Sequence, residues 1–390
     1  MKKGVLPSTD LEPEYIAVSD SKAYITLQEA NAIAKLDLNS LEIEDIYSVG
    51  FEDYSKIAID IDKKDEKYNA QTYDSLKGIR MPDAISVYTV DGIDYLITAN
   101  EGDSRDWNGY SNEIEVNFGK GKTSPTGKIT ADNSGLTGKV TFFDTSDYDG
   151  LNNENDYLFG GRSSTIFKAD EQSLQEIYTT GNDFEVKTAA YLPNNFNCSN
   201  DDATIDDRSG KKGPEAEAVT IGQIEDKTFA FIGLERIGGI MVYDITNPEK
   251  TEFVNYINSR DFSTDIGGDD SPEGIHFIAG NDSITGKPQL VVAYEVSGTV
   301  GVYDLTLQKN SDQSGDDKTD NPSQEPTVEE TNNSSNTNTN NKNHSVNTGD
   351  ASNIAITIIS LISTIVLITI LMKKDKVCLL YTSPSPRDCS

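Results

Sequence analysis

Short runs of alternating apolar and polar residues fill the chain from residue 5 to residue 307. Typical runs cover residues 24–27, 95–98, 229–233 and 290–294, and Gly, Asn, Asp and Ser separate them. Alternation places successive side chains on opposite faces of a strand, and no stretch holds a 3.6-residue apolar stripe over three helical turns. The pattern therefore predicts an all-β domain over residues 1–308.

This domain repeats a unit of three or four strands. Four clear copies begin near residues 13, 82, 216 and 272, and a divergent unit lies between residues 138 and 187. Consecutive strands that recur in this way are typical of β-propeller blades, whereas a sandwich would not repeat so. We expect about five blades of a seven-bladed, YVTN/WD40-like ring, with insertions at 51–80 and 103–137. The first blades would then be missing, so that the chain is truncated at its N-terminus.

Each clear copy carries one acid before its first strand and a second acid after its second strand. The pairs are Glu14 and Glu29, Asp83 and Glu101, Glu217 and Glu235, and Glu273 and Glu295. The two positions lie at the same end of a hairpin, so all eight acids are expected on one rim of the central channel. Arg105, Arg236 and Arg260 are the basic residues expected nearby.

Three interpretations of these acids remain open. Each acid could cap backbone amides within its own blade, the acids could share Ca²⁺ because hard oxygen ligands select Ca²⁺ or Mg²⁺, or they could form a catalytic carboxylate cluster. A weaker calcium motif lies at residues 145–150, where Asp147 and Asp149 precede Gly150. His276 stands where the other copies carry Ala17, Ser86 and Thr220, and we expect it to be a packed strand histidine.

The last fifth of the chain, from residue 309, differs in composition from the alternating region. Residues 309–346 are rich in Asn, Ser, Thr and Asp and nearly free of apolar side chains, so we expect a disordered stalk. Residues 353–372 hold no charge and are long enough for a transmembrane helix. Lys373, Lys374 and Lys376 follow, which places the C-terminal side in the cytoplasm and the preceding residues outside the cell.

Residues 347–376 resemble the cell-wall sorting signal that sortases cleave. Thr348 and Gly349 precede the apolar span and the short basic tail, although Ser345 and Val346 stand where that signal usually has Leu-Pro. The resemblance implies sortase and peptidoglycan as partners, with cleavage after Thr348. A plain membrane anchor through 353–372 is the alternative, and both place the protein on the extracellular face, in the wall or the membrane.

The sequences at the two ends of the chain do not match those expected of an exported protein with a C-terminal anchor. Residues 377–390 resemble a translated sequencing adapter, and the first residues carry no apolar segment of a signal peptide. We therefore expect a fragment whose signal peptide and opening sequence are missing.

Charge and cysteine content narrow the classes of partner. The chain has 65 acidic and 33 basic residues, a net charge of −32, which disfavours nucleic acid. Of its three cysteines, only Cys198 lies in the region expected to fold, so no disulfide framework is expected. With only two histidines, a His-rich zinc site is not expected either.

The repeat region resembles the choice-of-anchor I domain family. The resemblance rests on residues 11–18, 26–29, 81–84, 98–103, 159–162, 233–244 and 271–275. It implies a secreted β-propeller with interchangeable C-terminal anchors and supplies no catalytic residues, although some members carry alkaline-phosphatase-like labels.

Two classes of function follow. The first is a cell-surface binding, adhesion or scaffold module that binds calcium and an unidentified extracellular ligand. The alternative is a secreted metal-dependent phosphoesterase, similar to alkaline phosphatases or propeller phytases. Binding is favoured because no nucleophile and base occur at a distinctive spacing.

Overall fold

The computed structural model describes residues 1–107, 109–309 and 354–360, the last of these by backbone alone. Strands predominate, as the alternation predicts, and they form several separate sheets, none of which closes on itself. The expected stalk, Thr348 and Gly349, the remainder of the apolar span and residues 377–390 lie outside the described residues.

Four sheets have four antiparallel strands each, and the strands of three of them follow one another along the chain. The first sheet contains β1 (Pro13–Ser19), β2 (Lys22–Leu27), β3 (Ala32–Asp37) and β4 (Glu42–Ser48). Another contains β16 (Ala216–Ile224), β17 (Lys227–Leu234), β18 (Ile240–Asp244) and β19 (Glu252–Ile257). The last contains β20 (Pro272–Ile278), β21 (Gln289–Tyr294), β22 (Thr299–Lys309) and β23 (Ile354–Ser360).

The remaining sheet of four strands is interrupted in sequence. Its order is β15–β14–β8–β7, from β7 (Ile85–Val90), β8 (Ile93–Asn100), β14 (Ser163–Ala169) and β15 (Leu174–Thr179). Between β8 and β14 the chain forms three smaller sheets with other segments. Their strands are β5 (Phe51–Asp53), β6 (Leu76–Ile79), β9 (Asp106–Trp107), β10 (Tyr110–Ser111), β11 (Glu113–Asn117), β12 (Lys139–Phe143) and β13 (Asp156–Phe159). The helices are α1 (Pro7–Asp10), α2 (Ala131–Ser134) and α3 (Asp183–Tyr191), with a 3-10 turn at Pro248–Lys250.

The divergent repeat unit expected at 138–187 therefore does not form a sheet of its own. Its first strand, β12, pairs with β11, and β13 pairs in parallel with β6. Its last two strands, β14 and β15, complete the sheet that β7 and β8 begin. The edge of β8 that β7 does not occupy pairs with β14. The two strands are therefore neighbours in the sheet although a long insertion separates them in sequence.

The middle strands are buried on both faces, which explains their nearly continuous apolar sequences. In β17, Phe229 and Phe231 pack into one apolar cluster, while Ala230 and Ile232 pack into another on the opposite face. The first strands of the four sheets contact one another in series, β1 with β7, β7 with β16 and β16 with β20. This series places the start of each sheet beside the next one.

The first part of the apolar run at 353–372 is a strand, whereas the sequence predicts a helix. Residues 354–360 form β23, which pairs antiparallel with β22. The run is rich in Ile and Thr, and β-branched residues favour strands wherever a sheet edge is available. Within the described residues, no helix has the length and apolarity needed to cross a membrane.

Candidate functional site

Shifts in strand pairing set the side-chain direction of the acids that begin three of the sheets. The pairing register shifts between Pro13 and Ile16, between Ala216 and Ala218, and between Pro272 and Gly274. Glu217 and Glu273 are left out of register, and so is Glu14 together with Tyr15. A bulged residue is unpaired and its side chain is re-aimed, so the bulges turn these acids out of the regular alternation.

A second irregularity precedes three of the acids. Met81, Glu215 and Ser271 have positive φ angles of 47°, 54° and 65°, and each lies two residues before the first acid of its sheet. This conformation is uncommon for residues other than glycine. Its recurrence means that the repeated acid is carried by a repeated backbone geometry.

The first acids of all four sheets lie close enough to act on one side chain. Burial raises the pKa of Tyr15, and the charges of Asp83, Glu217, Glu273 and Glu14 raise it further. The four sheets therefore bring these carboxylates together, although Asp83 and Glu273 are 190 positions apart in sequence. We call the group of Glu14, Asp83, Glu101, Glu217, Glu235 and Glu273, together with Glu215 beside Glu101 and Glu235, the acidic rim.

Two second acids, Glu101 and Glu235, are almost fully buried and are held by polar partners. Lys212 Nζ lies 2.5 Å from Glu101 Oε1, and Gln28 Nε2 donates to Glu101 Oε2 at 2.7 Å. Glu235 Oε1 pairs with Arg236 Nη1 at 3.1 Å and accepts from Asn200 Nδ2 at 2.9 Å. Of the three arginines expected at the rim, only Arg236 lies there. Arg105 instead pairs with Asp10 and Arg260 with Asp270.

Glu215 links these two acids and was missed by sequence reasoning. One of its carboxylate oxygens lies within 4.8 Å of oxygens of both Glu101 and Glu235. Lys212 Nζ is 2.8 Å and Arg236 Nε 3.1 Å from Glu215 Oε2, and Arg208 binds its Oε1. The sequence signal was its position, two residues before the first acid of a repeat. Met81 and Ser271 hold the same position in their own repeats.

The cations neutralise the rim unevenly. Burial opposes ionisation of Glu215, but Arg208, Lys212 and Arg236 hold its pKa well below the usual value. Burial and the neighbouring Glu215 instead raise the pKa of Glu235 to about 8. Burial, then the charges of Glu235 and Glu101, raise the pKa of Glu217 well above its usual value. The rim therefore holds more carboxylate than its own cations balance.

Glu217 carries the least compensated oxygen of the rim. Its Oε2 is buried and has no hydrogen-bond partner among the described residues. Burying such an oxygen is costly unless a proton or a cation reaches it. The arrangement can therefore bind a cation, whether a metal ion or a basic side chain of a partner.

The other predicted acids lie outside the group of Glu101, Glu215 and Glu235. Glu29 is buried, and one of its oxygens lies within 4.8 Å of oxygens of Glu12 and Glu14. Glu295 is exposed, and its backbone N–H donates to Ser271 O at 2.8 Å. Asp147 and Asp149 have lysine partners, Lys2 at 3.8 Å and Lys3 at 3.1 Å, which compete with a metal ion.

His276 differs from the packed side chain that its strand position predicts, because it is exposed on β20. Among the described residues, Cys198 is a free and buried cysteine.

Comparison with known proteins shows which proteins this chain resembles. The chain is 29% identical over 285 residues to the mesenchyme-specific cell surface glycoprotein of Strongylocentrotus purpuratus, which covers 63% of this chain and 36% of that protein. It is 29% identical over 168 residues to gigasin-3a of Magallana gigas, covering 38% of this chain and 57% of that protein. The chain thus spans about a third to somewhat over half the length of these relatives.

Among solved structures, the allergen Mala s 1 of Malassezia sympodialis matches with 9% identity and a TM-score of 0.32, over 78% of this chain and 66% of that one. The family model of the choice-of-anchor I domain matches residues 2–248. This chain therefore belongs to the choice-of-anchor I domain family.

Proposed function

We propose that this chain is a cell-surface binding module built as a β-propeller, whose acidic rim binds a cation, with Ca²⁺ as the first candidate. The buried Oε2 of Glu217, which has no hydrogen-bond partner among the described residues, carries the proposal. The propeller is supported by sheets of consecutive antiparallel strands whose first strands contact one another in series. Placement at the surface is supported by the name of the sea-urchin relative and by the order of Thr348-Gly349, apolar run and lysines.

Only part of the acidic rim is available to a cation, because basic side chains already pair with the other acids. Lys212 and Arg236 already neutralise Glu215 and reach Glu101 and Glu235. Glu217 would supply an oxygen ligand of the kind that Ca²⁺ prefers, and Asp83 and Glu273 lie near enough for their charges to act on it. A bound ion would then present positive charge to an acidic ligand, or bridge the module to a partner.

Thermal melting of the full-length chain, in chelator and then in millimolar Ca²⁺, tests the rim. We expect Ca²⁺ to raise Tm in the wild type and to raise it less in Glu217→Gln, whose amide cannot hold the ion as a carboxylate does. Glu154→Gln is the matched control, because Glu154 is an exposed acid. An equal response in Glu217→Gln would remove the rim from calcium binding. Hydrolysis of a phosphate ester that Glu217→Gln abolishes would favour an enzyme instead.

Surface placement is tested on intact cells. We expect external protease to remove the module, and covalent attachment through Thr348 to leave it in the peptidoglycan fraction. A full-length chain in the cytosol that resists external protease would contradict the proposal.

A further inference from the structure

A second group of carboxylates shares no residue with the acidic rim. Asp60 and Asp65 lie in the loop between β5 and β6, and Asp206 lies in the loop between α3 and β16. One carboxylate oxygen from each lies within 4.8 Å of the other two. Asp60 is 1% exposed and Asp206 is fully buried, so the fold holds the group in place against its own repulsion.

This spacing suits a metal ion. Oxygen ligands lie about 2.3–2.6 Å from Ca²⁺, so two ligands on opposite sides of one ion are at most about 5.2 Å apart. All three oxygens therefore fit on the coordination sphere of a single ion. Carboxylates that share no cation or proton would instead be expected to separate.

Hydrogen bonds orient the three carboxylates but leave two oxygens unused. Asp60 accepts from the backbone N–H of Asn69 at 2.6 Å and of Asp62 at 3.1 Å. Asp65 Oδ2 accepts from the Asn69 amide at 2.8 Å, and Asp206 Oδ1 accepts from the Ser209 hydroxyl. No donor in the described part of the chain reaches Asp206 Oδ2 or Asp65 Oδ1, both of which are buried, and these two carboxyl groups come within hydrogen-bond reach of each other. Two buried carboxyl groups this close need a shared proton or a cation between them.

The charges around the group are not balanced. Glu185 accepts the Asp60 N–H at 3.2 Å and pairs with buried Arg162 at 2.7 Å. Lys67, which is largely exposed, approaches Asp65 Oδ2 only to 3.9 Å. Among these groups the carboxylates outnumber the cations, and Asp62 is a further acid of the same loop.

A cavity adjoins two of the three acids. Its volume is about 210 Å³, and Asp60 and Asp65 line it whereas Asp206 does not. It is large enough to admit an ion with part of its water shell.

We propose that Asp60, Asp65 and Asp206 form a second divalent-cation site, with Ca²⁺ as its ligand, which ties the β5–β6 loop to the loop before β16. The site supplies three carboxylates from two distant segments, and water from the cavity completes the coordination. Its role is structural, because occupancy joins two long loops that sequence separates by 140 residues.

Calcium binding to the full-length chain tests the site through titration calorimetry and melting, with Asp206→Asn as the variant and Asp207→Asn as the matched control. Asp207 is the adjacent acid, but it pairs with Lys63. We expect Asp206→Asn to weaken binding at this site on the order of tenfold or more, since affinity follows the count of charged ligands. We expect Asp207→Asn and the rim variant Glu217→Gln to keep this binding.

Melting in chelator distinguishes two roles of Asp206, that of a metal ligand and that of a group that only caps the backbone. Without metal, Asp206→Asn removes one of three repelling carboxylates and should melt at a higher temperature than the wild type. A lower Tm in chelator together with an unchanged calcium response would overturn the proposal. So would a calcium response lost only in Glu217→Gln, which would leave the rim as the binding site. Asp65→Asn, at a half-buried position, repeats the test should Asp206→Asn not fold.

Discussion

At the scale of residues, neighbouring charges decide why two acids that are both buried differ in their ionisation. Glu215 and Glu235 are the same residue type and both are buried. The pKa of Glu215 is lowered because three cations surround its carboxylate, whereas the pKa of Glu235 is raised by burial and by Glu215 itself. The rim therefore mixes acids that stay ionised with acids that hold a proton near neutral pH.

The pH dependence of stability follows from Glu235. Its pKa rises from 4.5 to about 8 on folding, so the folded chain holds a proton that the unfolded chain releases. That stabilisation is complete below about pH 4.5 and is lost as pH rises through about 8. We expect Glu235→Gln, which mimics the protonated acid, to gain stability relative to the wild type between about pH 5 and 8, by at most about 1.4 kcal/mol per pH unit.

Urea unfolding in chelator at several pH values measures this difference. Glu154→Gln, at an exposed position, should follow the wild type at every pH. A difference between Glu235→Gln and the wild type that stays constant across the range would show that Glu235 keeps its ordinary pKa.

At the scale of elements, a close backbone contact joins the end of β8 to the end of β13. A Cβ on Gly160 would lie 2.0 Å from Glu101 O, and one on Gly102 would lie 2.1 Å from Gly160 N. Both glycines have positive φ, 75° and 83°. Only glycine fits such a crossing, and the crossing holds the backbone of the rim acid Glu101 in place.

We expect Gly160→Ala to destabilise the protein by about 2–5 kcal/mol, because the new methyl group overlaps the Glu101 carbonyl in a left-handed conformation. Denaturant unfolding measures the loss. Gly127→Ala is the matched control, since Gly127 has φ 77° but no atom within 4 Å of the added Cβ. It should cost only about 1–2 kcal/mol. Equal losses in the two variants would mean that the crossing can open without cost.

At the scale of the whole molecule, the charge of −32 opposes compactness. Some of this charge is balanced locally by buried pairs such as Arg162 with Glu185 and Arg80 with Glu52. Exposed acids remain to repel one another across the surface. Salt screens charges on the surface more strongly than it screens buried pairs.

We expect Tm to rise as sodium chloride is increased from about 0.01 M to about 1 M, because the Debye length falls from about 30 Å to about 3 Å. Melting curves in chelator measure this effect. Choline chloride at the same ionic strength is the control, and it should give a similar rise, since screening does not depend on the identity of the ion. A Tm that falls with both salts would mean that attractive surface pairs outweigh the repulsion.

The sequence alone determined the strands and the local repeat. Alternation sets which face of a strand each side chain takes, and a hairpin is closed by neighbouring residues, so β1, β16 and β20 and their acids could be placed in advance. The register shifts at Glu14, Glu217 and Glu273 were not visible, because a bulge depends on the partner strand. The predicted propeller and calcium sites remain predictions.

Tertiary structure decided which distant segments meet. It brought Lys212 and Arg208 from a loop into the rim, joined β14 to β8 across a long insertion, and placed Asp206 beside Asp60 and Asp65. No local periodicity encodes such contacts. They depend on which sheet edges are free, and on whether the packing energy exceeds the entropy lost in closing a long loop, a cost that grows only slowly with its length.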